Sequence, residues 1–373
     1  MPARNENWFE AHPKSAGWLL GLALLAAVEL SVRAAASLDL WEHHTYPITA
    51  KPTFWSDVDR SFGAWHYPNV DFLHKSSCFE VRVRSNAHGA RDRERSRLAE
   101  GRRRFVVLGD SYAEGWGVED HQRVTDLLEA ENGIEFLNFG SAGHGSIQEW
   151  LLYERLGRQF EHSDVIVLML PDNDFADNDP AYFAPTHYRP YLRRVGDDFE
   201  VYYTTSWFLA YRRGVRSQTR VILNRALNRL YAANLVFGFA TRHPAPRTKA
   251  ADRRPYDDFS EAGLEVLLYS YRKILEAAGT RNVYLFTIPR HRDFEQYLAS
   301  GYDFRIVAAL SDFADRFDNF YYRDLMPEFI EHLGDGRKPY KHFFLPCNAH
   351  WSPLGHRIAA DAIGDLINAQ PPR

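Results

Sequence analysis

Three observations in the sequence predict an α/β fold in which helices cover a parallel sheet. From Arg104 onward, short β-rich apolar runs alternate with stretches of helical periodicity. The runs themselves are continuously apolar, as in strands buried on both faces. They also stop abruptly on small polar residues: Phe105 to Leu108 gives way to Gly109, Asp110 and Ser111.

In chain order, Phe105–Leu108 reads as a strand, followed by a helix around Val124–Glu131. Next come a strand at Ile134–Leu137, a helix around Gln148–Gly157 and a strand at Val165–Leu170. The alternation breaks near Asn178. From there to about Asp257 the chain is rich in Tyr, Phe, Trp and Arg, with one helical stretch, RVILNRALNRLYAANLVF, and it reads as an inserted, cap-like segment over 178–257. Ser260 then N-caps a helix that carries Leu264, Leu267, Leu268 and Tyr271 on one face and ends at Gly279. A strand at Val283–Ile288, a helix near Ile306–Phe317 and a strand at Phe320–Tyr322 follow. The last helix opens at Ser352 with Pro353 in its first turn, and buries Leu354, Ile358, Ala359, Ala362, Ile363 and Leu366.

The N-terminal part differs in kind. Residues 1–15 form a polar tail, and 16–36 are apolar over about the ~20 residues that cross a bilayer. Glu29 and Arg33 share a helical face within this segment and can partly neutralise each other. Arg4 and Lys14 before it, with Asp39 and Glu42 after it, orient the tail to the cytoplasm and the remainder outward. Ala34, Ala35 and Ala36 leave a cleaved signal peptide as the alternative reading, and either way the bulk of the chain is exported. The expected location is therefore the inner membrane, single-pass, with the main domain facing the periplasm. Residues 37–103 read as an irregular lead-in that ends in the extended stretch FEVRVRSNAHGARD.

Of the 373 residues, 45% are hydrophobic and 14% aromatic, ample for a large core. A net charge of -4, with 45 basic against 49 acidic residues, leaves no electrostatic footprint for nucleic acid. Cys78 and Cys347 are too few for a disulfide framework, although an exported chain could pair them.

In an open α/β sheet, functional groups gather at the carboxyl ends of the strands. Three strand ends carry suggestive residues: Gly109-Asp110-Ser111, NFGSAGHG at 138–145 and PDNDF at 171–175. CNAHWSPLGH, with His350, precedes the final helix. A serine, backbone donors at a Gly-rich turn, a side-chain amide and a histidine are the parts of an acyl-transfer site. His342, Cys347, His350 and His356 lack the compact pair-plus-pair spacing of a metal site. His356 reads as a packing residue of the last helix, and Arg91 with Asp92 as a structural ion pair.

On these blocks the sequence resembles the SGNH (GDSL-like) hydrolases, over roughly residues 78 to 370. Ser111 in GDSYAEG matches the nucleophile, Gly143 in NFGSAGHG the backbone oxyanion donor, Asn173 in PDND the amide donor and His350 the base. The chain also looks like a bacterial branch of esterases and polysaccharide O-acetylation proteins. The marks of that branch are an uncleaved N-terminal helix closing on a Glu-Leu and Arg pattern, the residues Asn86, Gly89, Arg91 and Asp92, and a histidine followed by Trp. The resemblance implies a flavodoxin-like, three-layer α/β/α sandwich over 104–373, and a Ser-His site acting on acyl esters, acetyl among them, of an exported glycan or similar substrate. It implies no metal or organic cofactor. The alternative is a catalytically weak or inactive subunit, serving as scaffold or glycan-binding module with protein partners in a membrane assembly. One departure motivates that alternative. The family places an Asp two or three residues before the histidine, where this chain has Asn348 and Cys347. An Asn can orient the ring but supplies no charge, and in a serine-protease triad the Asp to Asn change costs ~10⁴ in rate. Pro171 also replaces a Gly of the third block.

Overall fold

The computed structural model describes residues 7–38, 57–76, 78–183, 187–208, 227, 230–233, 235–236 and 254–370. The chain divides into two units, one of residues 1–49 and 219–248 and one of residues 50–218 and 249–373.

In the first unit, helix α1 (Pro13–Ser37) has one stretch, Pro13–Ala35, long and apolar enough to cross a membrane. The Glu29 carboxylate takes an N–H from Arg33 at 2.7 Å, as the helical spacing predicts. It also accepts the backbone N–H groups of Tyr231 and Ala232, each at 2.9 Å. A carboxylate in an apolar stretch is costly unless paired, and three donors meet that need here. The helical stretch expected over 220–237 lies mostly outside the described residues.

The second unit opens with two hairpins, β1 (Asp57–Asp59) with β2 (Gly63–Trp65), and β3 (Asp71–Lys75) with β4 (Glu80–Arg84). The lead-in is therefore not irregular throughout, a correction to the sequence reading. The strands of β1 and β2 are only three residues long, too short to show a period, whereas EVRVR in β4 alternates exposed and buried residues.

The central sheet follows, with β5 (Arg104–Gly109), α2 (Ser111–Glu114), α3 (Val124–Asn132), β6 (Glu135–Asn138), α4 (Ser146–Arg155), β7 (Asp164–Met169) and α5 (Pro171–Asn178). The antiparallel pair β8 (Pro190–Val195) and β9 (Asp198–Tyr203) lies within the insertion. Then come α6 (Glu261–Ala278), β10 (Asn282–Thr287), α7 (His291–Ser300), α8 (Arg305–Ala314), β11 (Phe320–Asp324), α9 (Met326–Glu331) and α10 (Pro353–Ala369). The strand order is β11-β10-β7-β5-β6, and every pairing in this sheet is parallel. Numbered from β5, the order is 2-1-3-4-5, the flavodoxin-like arrangement, so the three-layer α/β/α sandwich expected from sequence is the one observed. α3 packs on α10, and α4 on α6, the two helical layers that right-handed crossovers demand. Phe105, Val106, Val107 and Leu108 are buried on both faces, which explains their unbroken apolar run.

The topological switch point of such a sheet lies between its first and third strands, here β5 and β7. Ser111 follows one of them and Asn173 the other.

Arg91 and Asp92 do not form the expected ion pair. Arg91 instead donates to the carbonyls of Glu114, Gly115 and Val118, and so stitches the turn after α2. Asp92 is paired with Arg95 at 2.9 Å. The two adjacent opposite charges, which lie in a bend, thus find separate partners.

Candidate active site

The first strand delivers the serine through a capped turn. Asp110 N-caps α2 by accepting the N–H of Tyr112 at 2.9 Å, and Gly115 closes the turn with φ 84. Ser111 thereby sits at the strand tip, only 7% exposed but lining a cavity of about 240 Å³. The other walls of that cavity are Tyr112, Trp116, Ala142, Gly143, Leu170, Asn173, Arg290 and His350.

The second block approaches closely enough that a side chain at Gly140 would strike the backbone of Ala113 and Glu114. Asn138 fastens it there by donating to Ala113 O at 2.8 Å. Gly143 has φ 79, in the left-handed region that favours glycine. Its carbonyl accepts from Arg189 Nη2 at 2.8 Å, and its N–H, which belongs to the preceding peptide, has no protein acceptor among the described residues. Arg189 lies just before β8, so the insertion supplies a residue that sets the turn, and it also pairs with Asp177.

Asn173 stands in the first turn of α5, which Pro171 opens at a position that needs no N–H donor. Its Nδ2 donates to Asp110 Oδ2 at 2.8 Å, so the residue before the nucleophile holds the amide of the third block. Burial raises the Asp110 carboxyl to about 7, against the N–H of Tyr112 and the amide of Asn173, which favour its ionised form.

His350 comes from the loop before α10, where Ser352 rather than His350 is the N-cap. Its Nε2 lies 2.7 Å from Ser111 Oγ, and its Nδ1 lies 3.2 Å from Asn348 Oδ1. The same amide oxygen accepts the His350 backbone N–H at 3.1 Å. With Asn348 Oδ1 accepting at Nδ1, that nitrogen carries the proton and Nε2 is left free to accept from the serine. All four motif residues thus meet at one cavity, and Asn348 occupies the orienting place behind the ring.

Ser111, Gly143, Asn173 and His350, the four residues of the sequence resemblance, therefore line one cavity of a flavodoxin-like α/β fold. No known family model matches the chain's sequence, and no curated protein matches it either. Three solved structures illustrate what it is similar to. A lipolytic protein of the G-D-S-L family from Veillonella parvula is 12% identical, with 72% of this chain and 99% of that one covered and a TM-score of 0.38. A GDSL-like lipase from Bacteroides thetaiotaomicron is 11% identical, with 74% and 92% covered and a TM-score of 0.38. A carbohydrate esterase family 2 enzyme with a carbohydrate-binding domain, from Corynascus thermopiles (Myceliophthora fergusii), is 12% identical, with 72% and 66% covered and a TM-score of 0.38.

Cys78 and Cys347 form a disulfide across 269 residues. It ties the β3–β4 hairpin to the loop that carries His350. The other hairpin also supports the site, since Ala64 O receives His144 Nε2 at 2.7 Å and Phe62 O receives Gln148 Nε2 at 2.8 Å. His356 is buried in α10, where desolvation lowers its pKa to about 3. Among the described residues, no three His, Cys, Asp or Glu side chains gather as metal ligands would. Sequence reading missed Asp110, Trp116, Arg189 and Arg290. Only Asp110 carried a local signal, as an N-capping residue next to the serine.

Proposed function

We propose that the chain is an SGNH-type serine esterase or O-acyltransferase. The observation that carries this reading is the 2.7 Å contact of His350 Nε2 with Ser111 Oγ in a cavity that Gly143 and Asn173 also line. Ser111 would attack an acyl ester with His350 as base, and the oxyanion would lie against the N–H groups of Ser111 and Gly143 and the second amide hydrogen of Asn173. Water attacking the acyl-enzyme gives hydrolysis, and a sugar hydroxyl gives transfer. An exported glycan or similar substrate carrying acyl esters, acetyl among them, is the proposed substrate class.

We further propose that α1 anchors the protein in the inner membrane with the catalytic unit on the periplasmic side. Supporting this are the Pro13–Ala35 span, the basic residues before it, and the disulfide, which belongs to an oxidising compartment. The scaffold alternative has no need for a histidine within hydrogen-bond reach of Ser111, so the geometry weighs against it.

The test is intact-mass analysis after treatment with a fluorophosphonate, beside Ser111→Ala. An adduct on the wild type alone, with turnover of a simple acyl ester abolished in the variant, is the expected result. A folded wild type that takes no adduct and turns over no ester would remove the enzyme reading.

A further inference from the structure

When Ser111 loses its proton, His350 becomes a cation. In a triad, a carboxylate behind the ring meets that charge, but here a neutral amide stands at Nδ1. The imidazole instead lies against aromatic faces. The Trp116 ring is stacked on it, with centroids 5.4 Å apart and planes inclined by 20°. Tyr112 is 5.1 Å away at 33°, its hydroxyl donating to the carbonyl of Ala349, next to the histidine. The face of an aromatic ring is the negative part of its quadrupole and attracts a cation, and indole does so most strongly.

Trp116 is itself held on several sides. Its backbone N–H donates to Ser111 O at 2.9 Å, and Gly115 and Gly117 flank it with φ 84 and φ 79. His74 of β3 meets the indole edge-on at 4.8 Å, and Phe79 in turn packs on His74 at 4.9 Å. Cys78, the neighbour of Phe79, is bonded to Cys347, three residues before His350. One brace therefore fixes both the indole and the loop that carries the base.

We propose that Trp116 serves in place of the absent acid, orienting His350 and stabilising its imidazolium through the indole face. This rests on the serine-esterase reading above. In the step concerned, Oγ bonds to the acyl carbon, the carbonyl π pair moves to oxygen, and the Ser111 proton passes to His350 Nε2. That proton then goes to the leaving alcohol oxygen as the C–O bond breaks. Trp116 takes no proton and forms no bond, so it is a positioning residue. The other titratable or charged groups around the ring are Asp110 beside the nucleophile, Arg290 on the cavity wall, His356 of α10 and His74 behind the indole. Arg290 is a fixed cation and opposes the imidazolium. Asp110 is engaged by Tyr112 and Asn173.

The experiment uses the full chain in detergent and p-nitrophenyl acetate, with kcat/KM followed across pH for wild type, Ser111→Ala, Trp116→Phe, Trp116→Leu and Trp116→Leu with Asn348→Asp. Removing the indole should lower the plateau about 5- to 30-fold, chiefly in kcat, the range a desolvated cation–π contact spans. It should also move the acid limb down by about one pH unit, because the imidazolium has lost a stabilising partner. Trp116→Phe, which keeps a ring face, should shift less in the same direction. Asn348→Asp in the Trp116→Leu background should restore part of the rate, since a carboxylate then supplies the missing charge. A Trp116→Leu protein with the wild-type rate and limb overturns the inference, as does a loss uniform in pH that the carboxylate does not relieve. If Trp116→Leu does not fold, Trp116→Phe decides, and an unshifted limb overturns the proposal. Turnover that survives in Ser111→Ala would sink the esterase reading itself, an outcome distinct from all of these.

Discussion

Asn173 donates to Asp110 Oδ2 at 2.8 Å, so the amide from the third strand is held by the residue immediately before the nucleophile from the first. One contact across the switch point thus sets Asn173, the proposed oxyanion donor, relative to the segment that carries Ser111, the proposed nucleophile. An asparagine at 110 would have a single acceptor oxygen for both Asn173 and the Tyr112 N–H, and its own amide hydrogens would face those of Asn173. Asp110→Asn is expected to lower kcat about 10²-fold, the cost of one lost oxyanion donor, with KM changed little. Steady-state kinetics on an acyl ester measure the split, and a loss confined to KM would contradict it.

Asn348 orients the His350 ring without charging it. A carboxylate at that position would add attraction for the imidazolium, so Asn348→Asp is expected to raise kcat/KM about tenfold, a fraction of the ~10⁴ that separates Asp from Asn in a serine-protease triad. The acid limb should move to higher pH, because a stabilised imidazolium holds its proton longer. A pH series on the two proteins checks both, and an unchanged limb would contradict the orientation described for Asn348.

Glu149 lies buried in α4 with both carboxylate oxygens unpartnered among the described residues. Burial first, and then Asp174, Asp110 and Asp177, push its carboxyl well above the usual range. The folded chain then keeps a proton that the unfolded chain releases, so stability is greatest below the ordinary glutamate pKa and falls as pH rises toward the folded value. Glu149→Gln removes that loss. Its Tm should exceed that of wild type at pH 8 and match it near pH 4; thermal melts at the two pH values would reveal a gap that fails to open.

The disulfide closes a loop across 269 residues, for which chain entropy alone gives about 5 kcal/mol. Cys78→Ser with Cys347→Ser should lower the urea midpoint and, under native conditions, reduce kcat as the loop carrying His350 loosens. Full activity in the folded double variant would show that the remaining contacts of that loop suffice.

The parts of this molecule that were legible in its sequence are those written in neighbouring residues. Buried strands announce themselves by unbroken apolar runs, Ser260 and Ser352 by the helices they cap, and Ser111, Gly143, Asn173 and His350 by short motifs at strand ends. Contacts between distant segments were not legible. Nothing near Trp116 signals that it stacks on His350, and nothing near Arg189 signals that it grips the Gly143 carbonyl. The hairpins of the lead-in were missed for a related reason: two-stranded units of three to five residues take their stability from what they pack against. Arg91 and Asp92 misled for the converse reason, since adjacency in sequence is not adjacency of side chains.

The proposed nucleophile is residue 111 and its proposed base residue 350, whose loop Cys347 fastens to Cys78 near the start of the same unit. A chain released before residue 350 would therefore hold the proposed nucleophile with no base to take its proton. Long-range closure of this kind also slows folding.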